Sequence, residues 1–196
     1  LVYEVPTGRI LGAQAIGKGN ADKRVDVIAT LITMGGTIED LKDLELSYSP
    51  MYSTAKDVVN MAALVANNVM AGRFRQVQVS EVRDLVESGA YFVDVREENE
   101  FANGHIKGAV NIPLSQLRER MSEIPKDKPV YVHCRSAQRS YNAVMALQGS
   151  GWDNVVNVSG SFLGICLYEY FTDVQTGREP IVTAYMVDFV IKGGNE

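Results

Sequence analysis

The chain has 196 residues, 46% apolar and 22% charged, with a formal net charge of -5. That is ordinary for one large or two modest packed domains, and scattered acidic residues exclude the basic stripe of a nucleic-acid binder. No apolar run approaches the roughly 18 residues of a membrane span, and two cysteines with two histidines suit neither a secreted disulfide scaffold nor a zinc site.

The expected setting is therefore cytoplasmic, with reduced thiols, no metal, no membrane and no nucleic-acid partner. The first segment, 1–71, opens at Leu1 without a methionine and inside an extended run, so it reads as a piece of something longer. Tyr3 to Gly17 predicts a hairpin turning at Pro6-Thr7-Gly8. From Asp22, the residues Val25, Ile28, Ala29 and Ile32 recur at helical spacing up to a C-cap at Gly35-Gly36. Thr37 is placed to cap a short helix, Ile38 to Leu44. A longer helix is predicted over Ala55 to Met70, after a loop containing Tyr48, Pro50 and Tyr52. Its small residues suit close packing against another element or subunit.

Residues 72–78 read as a short polar linker, and 79–196 as a second domain with a C-terminal extension. There Ser80 is expected to cap a helix to Ser88, followed by a strand at Tyr91–Val95 and helices at Glu97–Asn103 and Leu114–Ile124. A strand at Pro129–His133, a helix at Arg139–Ser150, a strand at Val155–Val158 and a helix from Ser161 complete the pattern. Short apolar strands alternating with helices predict an α/β fold, a parallel sheet covered on both faces. Its active site is expected where strands end and helices begin.

Cys134 stands at such a point, between the strand that ends at His133 and the helix that follows. The loop Cys134-Arg135-Ser136-Ala137-Gln138-Arg139-Ser140 is expected to curl around a helix N-terminus and aim backbone N–H groups at one point. A thiol held there ionises readily, helped by Arg135 and Arg139. The bland alternative is a small buried residue at a strand end, but such a residue needs no two arginines within five positions. Cysteine-dependent phosphatases place five residues between Cys and Arg. Here four separate Cys134 from Arg139, a tighter ring that suits a persulfide sulfur better than a phosphoryl group.

Three motifs in order carry a resemblance to the rhodanese family over nearly all of 80–175. They are Phe92-Val93-Asp94-Val95-Arg96-Glu97, the run Gly104-His105-Ile106-Lys107-Gly108-Ala109 continuing to Pro113, and the Cys134 loop. The resemblance implies a rhodanese-like parallel sheet and a sulfurtransferase in which Cys134 takes sulfane sulfur from a donor and passes it to a thiol acceptor. The loop amides from Arg135 to Ser140 then hold the charge of the terminal sulfur. Arg135 is expected to point outward to an anionic donor. Arg139 either does the same or pairs with Asp94 or Glu97 to brace the loop. Asp94, Arg96 and Glu97 are supporting residues, and His105 is expected to fix a turn. Ala137 departs from the glycine common in the family, and is acceptable only with a negative φ or with modest strain. Cys166 lies on an apolar helical stretch and reads as core, with a resolving thiol as the alternative.

The first segment resembles the dimerisation domain of flavin-dependent pyridine nucleotide–disulfide oxidoreductases, in the coenzyme A-disulfide reductase branch. The matching runs are Thr7 to Gln14, Lys23 to Ala29, and Leu46 to Ala66 around Tyr48-Ser49-Pro50-Met51-Tyr52. What this implies is a partial α+β dimerisation domain, a homodimer, and a parent protein using FAD, NADH and coenzyme A persulfides or polysulfides. Tyr48 or Tyr52 reaches a partner subunit's site on this reading, or simply packs at the interface. Gly12 to Gly19 has neither the spacing nor the context of a dinucleotide-binding loop, so no cofactor is expected on this chain itself. The contrasting reading is a non-catalytic dimerisation scaffold that senses persulfide.

Overall fold

The computed structural model describes residues 1–17 and 19–186. The last part of the expected C-terminal extension, 187–196, lies outside them. The chain divides into two compact units at Arg73 and Phe74.

In the first unit, β1 (Val2–Tyr3) and β2 (Ile10–Gly12) form an antiparallel hairpin. Helices α1 (Ala21–Thr33), α2 (Ile38–Asp43) and α3 (Val58–Met70) follow. Ile10, Ile28, Ile38, Leu41, Val59, Ala63 and Ala66 make its core. Thr37 caps α2 as expected, its hydroxyl accepting the Asp40 N–H while Asp40 accepts the Thr37 N–H. The third helix starts at Val58 rather than Ala55. Asp57 is its cap, accepting the Val59 N–H at 3.2 Å, and Arg24 grips the same carboxylate through two 2.9 Å bonds. A residue held at the N-cap has non-helical dihedrals, so the helix cannot extend back through it.

In the second unit the strands are β3 (Arg75–Val77), β4 (Tyr91–Asp94), β5 (Val110–Asn111), β6 (Val130–His133) and β7 (Val155–Val158). They form one parallel sheet in the order β3-β7-β6-β4-β5. Segment 72–78, expected as a linker, is therefore part of the sheet: Arg75 to Val77 pair with Val156 to Val158, and Phe74 is buried against Tyr141. An edge strand has one unpaired side and tolerates polar residues, which is why it reads as a linker. The first helix, α4 (Val79–Glu87), is not capped by Ser80 but begins after Gln78, whose N–H bonds to Glu81 Oε2 at 2.8 Å. Helices α5 (Glu98–Ala102), α6 (Leu117–Arg120, continued by a 3-10 turn to Glu123), α7 (Gln138–Gly149) and α8 (Ser161–Thr176) complete the unit.

Strand periodicity sorts the side chains. Phe92, Asp94, Tyr131, His133 and Val158 share the face covered by α4 and α8, where Val82, Phe162, Ile165 and Cys166 join the core. Val93, Val132 and Asn157 point to the other face, where a Ser140 hydroxyl bond to Asn157 seats α7. Both faces being covered explains the near-continuous apolar strands. The segment after α8 turns back on the sheet. Ile106 bridges to Val182, and the Lys107 and Thr183 N–H groups bond to the Ile181 and His105 carbonyls at 2.9 Å each.

Candidate active site around Cys134

The C-terminal ends of β4 and β6 bring the site together. Cys134 follows the last residue of β6, and its loop returns at Gln138 as the first turn of α7. Ala137 makes the turn possible by adopting a left-handed conformation, φ 76° and ψ -9°. Of the two conditions expected for an alanine there, it is strain that applies. A Cβ at positive φ costs roughly 1 kcal/mol relative to glycine. The second helix N-terminus fixes the loop from behind: the Phe162 and Leu163 N–H groups bond to the Cys134 and Arg135 carbonyls at 3.0 and 2.9 Å.

Two opposing influences act on the Cys134 thiol. Burial pushes it up, since the residue is only 1% exposed. The N–H groups of Ser140 and Ser136, the Ser140 hydroxyl and the Ala137 N–H pull it down, and they win: the thiol lies below its ordinary value. The thiolate is thus stabilised chiefly by the loop's own backbone, the cradle expected for a small anion.

The charged residues fall into two groups. Arg139 braces the loop, but its partner is neither Asp94 nor Glu97. It forms a two-bond pair with Glu100, at 2.6 and 2.8 Å, which raises the guanidinium and lowers the carboxyl. Glu97 instead accepts the Ser115 hydroxyl at 3.1 Å. The phase of α5 turns Glu100 toward the loop. Arg135 is partly exposed and Ser136 and Gln138 are exposed, whereas Ser140 is buried.

Asp94 and Arg96 lie below the loop and are fully buried. Arg96 clasps Asp94 at 2.6 and 3.0 Å, donates to the Gly104 carbonyl at 2.7 Å and sits 4.1 Å over the Phe162 ring. This ties the first two sequence motifs to one point and packs them on α8. His133 lies beside them, its Nε2 3.8 Å from Asp94 Oδ2, and burial holds the imidazole below its ordinary value. His105 is not at the thiol: it stacks on Phe101 with Nδ1 2.9 Å from the Phe101 carbonyl, closing the turn after α5. Cys166 is fully buried in the core, with its thiol raised by burial.

Sequence reasoning missed Glu100, Asn157 and Ser161. Only Glu100 carried a signal, as an acidic residue on a short helix one turn beyond Glu97. Tyr48 and Tyr52 belong to the first unit and are exposed. Tyr52 lines a cavity of about 270 Å³ with Lys23, Arg24 and Asp57. That unit's sheet is a two-stranded antiparallel hairpin, so Gly12 to Gly19 follows no parallel βαβ strand and does not suit a dinucleotide. Among the described residues, no group of three or more His, Cys, Asp or Glu could hold a metal ion, and no helix is long and apolar enough to cross a membrane.

Residues 78–167 match the rhodanese-like domain family, and residues 1–59 match the pyridine nucleotide-disulphide oxidoreductase dimerisation domain. Among solved structures, the chain is similar to the reduced CoADR-RHD of Bacillus anthracis, with 49% identity and a TM-score of 0.71 over 74% of this chain and 26% of that one. It is also similar to an NAD-dependent persulfide reductase from A. fulgidus, with 37% identity and a TM-score of 0.71 over 82% of this chain and 28% of that one. The chain thus spans about a quarter of the length of either structure. The thiosulfate sulfurtransferase GlpE of Shewanella oneidensis is 32% identical over 90 residues, 45% of this chain and 89% of its own length. With the Cys134 loop, the buried Asp94–Arg96 clasp and these matches in agreement, the chain belongs to the rhodanese-like family, and its residues 1–59 are similar to the oxidoreductase dimerisation domain.

Proposed function

We propose that the second unit is a sulfurtransferase module in which Cys134 carries sulfane sulfur as a persulfide. The observation that carries this reading is the lowered Cys134 thiol inside a ring of loop amides. With thiosulfate as donor, the Cys134 thiolate attacks the outer sulfur, the S–S bond to the sulfite group breaks, and sulfite leaves with the electron pair. The persulfide's terminal charge then occupies the amide ring. An acceptor thiolate attacks that terminal sulfur and the Cys134 thiolate is released. Arg139, held by Glu100, keeps the ring closed and positive.

The module serves a longer parent protein, an NADH- and FAD-dependent reductase of coenzyme A disulfides, persulfides or polysulfides. The dimerisation-type segment at 1–59 and the likeness to a persulfide reductase support this. Those cofactors belong to flavin domains of the parent, a reading supported by the Gly12 to Gly19 stretch, which lacks the spacing of a dinucleotide-binding loop. FAD and NADH supply electrons for the reductive half of that activity. In a cytoplasmic homodimer, the exposed Val58, Met61 and Val65 of α3 face a second copy, and Tyr48 or Tyr52 reaches across.

Intact-mass measurement tests the sulfur-carrying step. The reduced chain, treated with thiosulfate or coenzyme A persulfide, gains one sulfur that cyanide removes as thiocyanate; the Cys134→Ser variant gains none. If the native chain gains no sulfur from either donor, the reading fails, and a dimerisation scaffold that only senses persulfide takes its place.

A further inference from the structure

Beside Cys134, at the start of α8, stands a residue in an unusual conformation. Ser161, the first residue of α8, is fully buried and has φ 48°, in the left-handed region where side chains other than glycine are strained. Its hydroxyl oxygen accepts the Cys134 N–H at 3.1 Å and lies 4.0 Å from Cys134 Sγ. The same hydroxyl is 3.1 Å from the Val158 carbonyl and 3.4 Å from Ser140 Oγ. Ser140 in turn donates to Asn157 Oδ1 at 2.7 Å. Ser140 Oγ also reaches the Ala137 carbonyl at 3.2 Å, and the single Ser161 proton has three acceptors within reach: the Val158 carbonyl, Ser140 Oγ and the sulfur.

We infer that Ser161 is a positioning residue that turns its hydroxyl proton from the Val158 carbonyl to Cys134 Sγ when that sulfur becomes negative. The inference rests on the sulfur-carrying role proposed above and deepens it. A bond to an ionised acceptor is roughly twice as strong as a neutral one, so charge on Sγ redirects the proton without moving the backbone. The loop amides and Ser161 then divide the work. In the persulfide, the amides face the terminal sulfur and Ser161 faces Sγ. When an acceptor thiolate attacks the terminal sulfur, a new S–S bond forms, the old one breaks, and its electron pair goes to Sγ. That is the atom to which Ser161 donates, so it stabilises the leaving group. The strained φ keeps the hydroxyl beside the sulfur, where glycine would leave no donor.

The other groups around Sγ are accounted for. Arg135 and Arg139 approach from the loop and α7, with Arg139 held by Glu100. His133 on β6 is kept neutral by burial, and Asp94 on β4 is clasped by Arg96. The first turn of α8, Ser161 to Gly164, brings no titratable side chain besides the Ser161 hydroxyl under test.

The test compares Ser161→Gly with Ser161→Ala in the full chain, by the pH profile of iodoacetamide labelling at Cys134, read by peptide mapping. Both variants lose the hydroxyl, but only alanine keeps the strain. The expected result is an equal rise of the apparent Cys134 pKa in both, roughly 0.5 to 1 unit, while thermal stability separates the two. The inference is overturned if Ser161→Gly titrates like the parent, or if the rise follows the loss of melting temperature from one variant to the other. Should Ser161→Ala not fold, Ser161→Gly decides alone. Labelling needs no sulfur donor, so this outcome is independent of whether Cys134 proves to carry sulfur.

Discussion

Cys134 and Cys166 are both free and both buried, at 1% and 0% exposure, within one unit, yet their thiols are displaced in opposite directions. Burial acts on both in the same sense. The difference is the number of hydrogen-bond donors aimed at each sulfur. Cys134 has the amides of Ser140, Ser136 and Ala137 together with the Ser140 hydroxyl. Cys166 has chiefly the Met186 N–H, at 3.4 Å, among apolar neighbours. Inaccessibility and inertness are therefore separate properties, and the loop conformation decides which of the two thiols ionises more readily.

The comparison breaks most completely if the floor under the loop is removed. Arg96→Met leaves Asp94 buried without its clasp and is expected to destabilise the second unit by about 3–5 kcal/mol in urea unfolding. Labelling of the two thiols should then converge. In the intact chain near neutral pH, Cys134 should label at least about tenfold faster than Cys166, and in denaturant the ratio should fall to about one.

The pH dependence sharpens the contrast, because the two signs differ. The Cys134 thiol is lowered in the folded state, so its contribution to stability is full above the ordinary thiol value, about 8.5, and is lost as pH falls through the folded value. The Cys166 thiol is raised. Its contribution is full below about 8.5 and is lost as pH rises through the folded value. Unfolding curves between neutral and alkaline pH should therefore show Cys166→Ala losing less stability than the parent on the alkaline side, and Cys134→Ser losing more. Equal slopes for the three proteins would contradict the contrast.

Smaller effects come from the loop itself. Glu100→Gln releases Arg139, and because the pair is about one-third exposed, the stability change should stay within about 1 kcal/mol. The Cys134 pKa should shift only slightly, since Arg139 remains charged, while loading by an anionic donor should slow through loss of loop order. Ala137→Gly removes the left-handed penalty and should raise stability by at most about 1 kcal/mol, seen as a small increase in melting temperature. It should leave the Cys134 titration where it was, because the Ala137 N–H stays in place.

The sequence makes the chemistry more legible than the architecture around it. The Cys134 loop, the Asp94–Arg96 strand end and the helix cap at Thr37 can be read because each depends on neighbours close in sequence. The edge strand at Arg75 to Val77 cannot be read this way, since its pairing lies with β7 some eighty residues on and none of its side chains is fully buried. The partner of Arg139 is Glu100 rather than Asp94 or Glu97, because the phase of a five-residue helix sets which carboxylate turns inward. Ser161 looks like an ordinary helix-starting serine. Its left-handed conformation is imposed by the backbone entering α8 beside Cys134, a tertiary constraint with no local trace.

The return of β3 and of residues 181–183 onto the sheet bears on how this module can be transplanted. A piece cut at the family match, 78–167, would lose the strand that covers the edge of β7 and the segment that bridges to Ile106. It would present an open hydrogen-bonding edge, inviting self-association through strand addition. A graft into another host should carry Phe74 through Tyr185. At Gly104 the added segment comes so close that a Cβ would lie 2.6 Å from the Ala184 carbonyl oxygen, so whatever replaces that segment in a fusion must leave the same narrow passage.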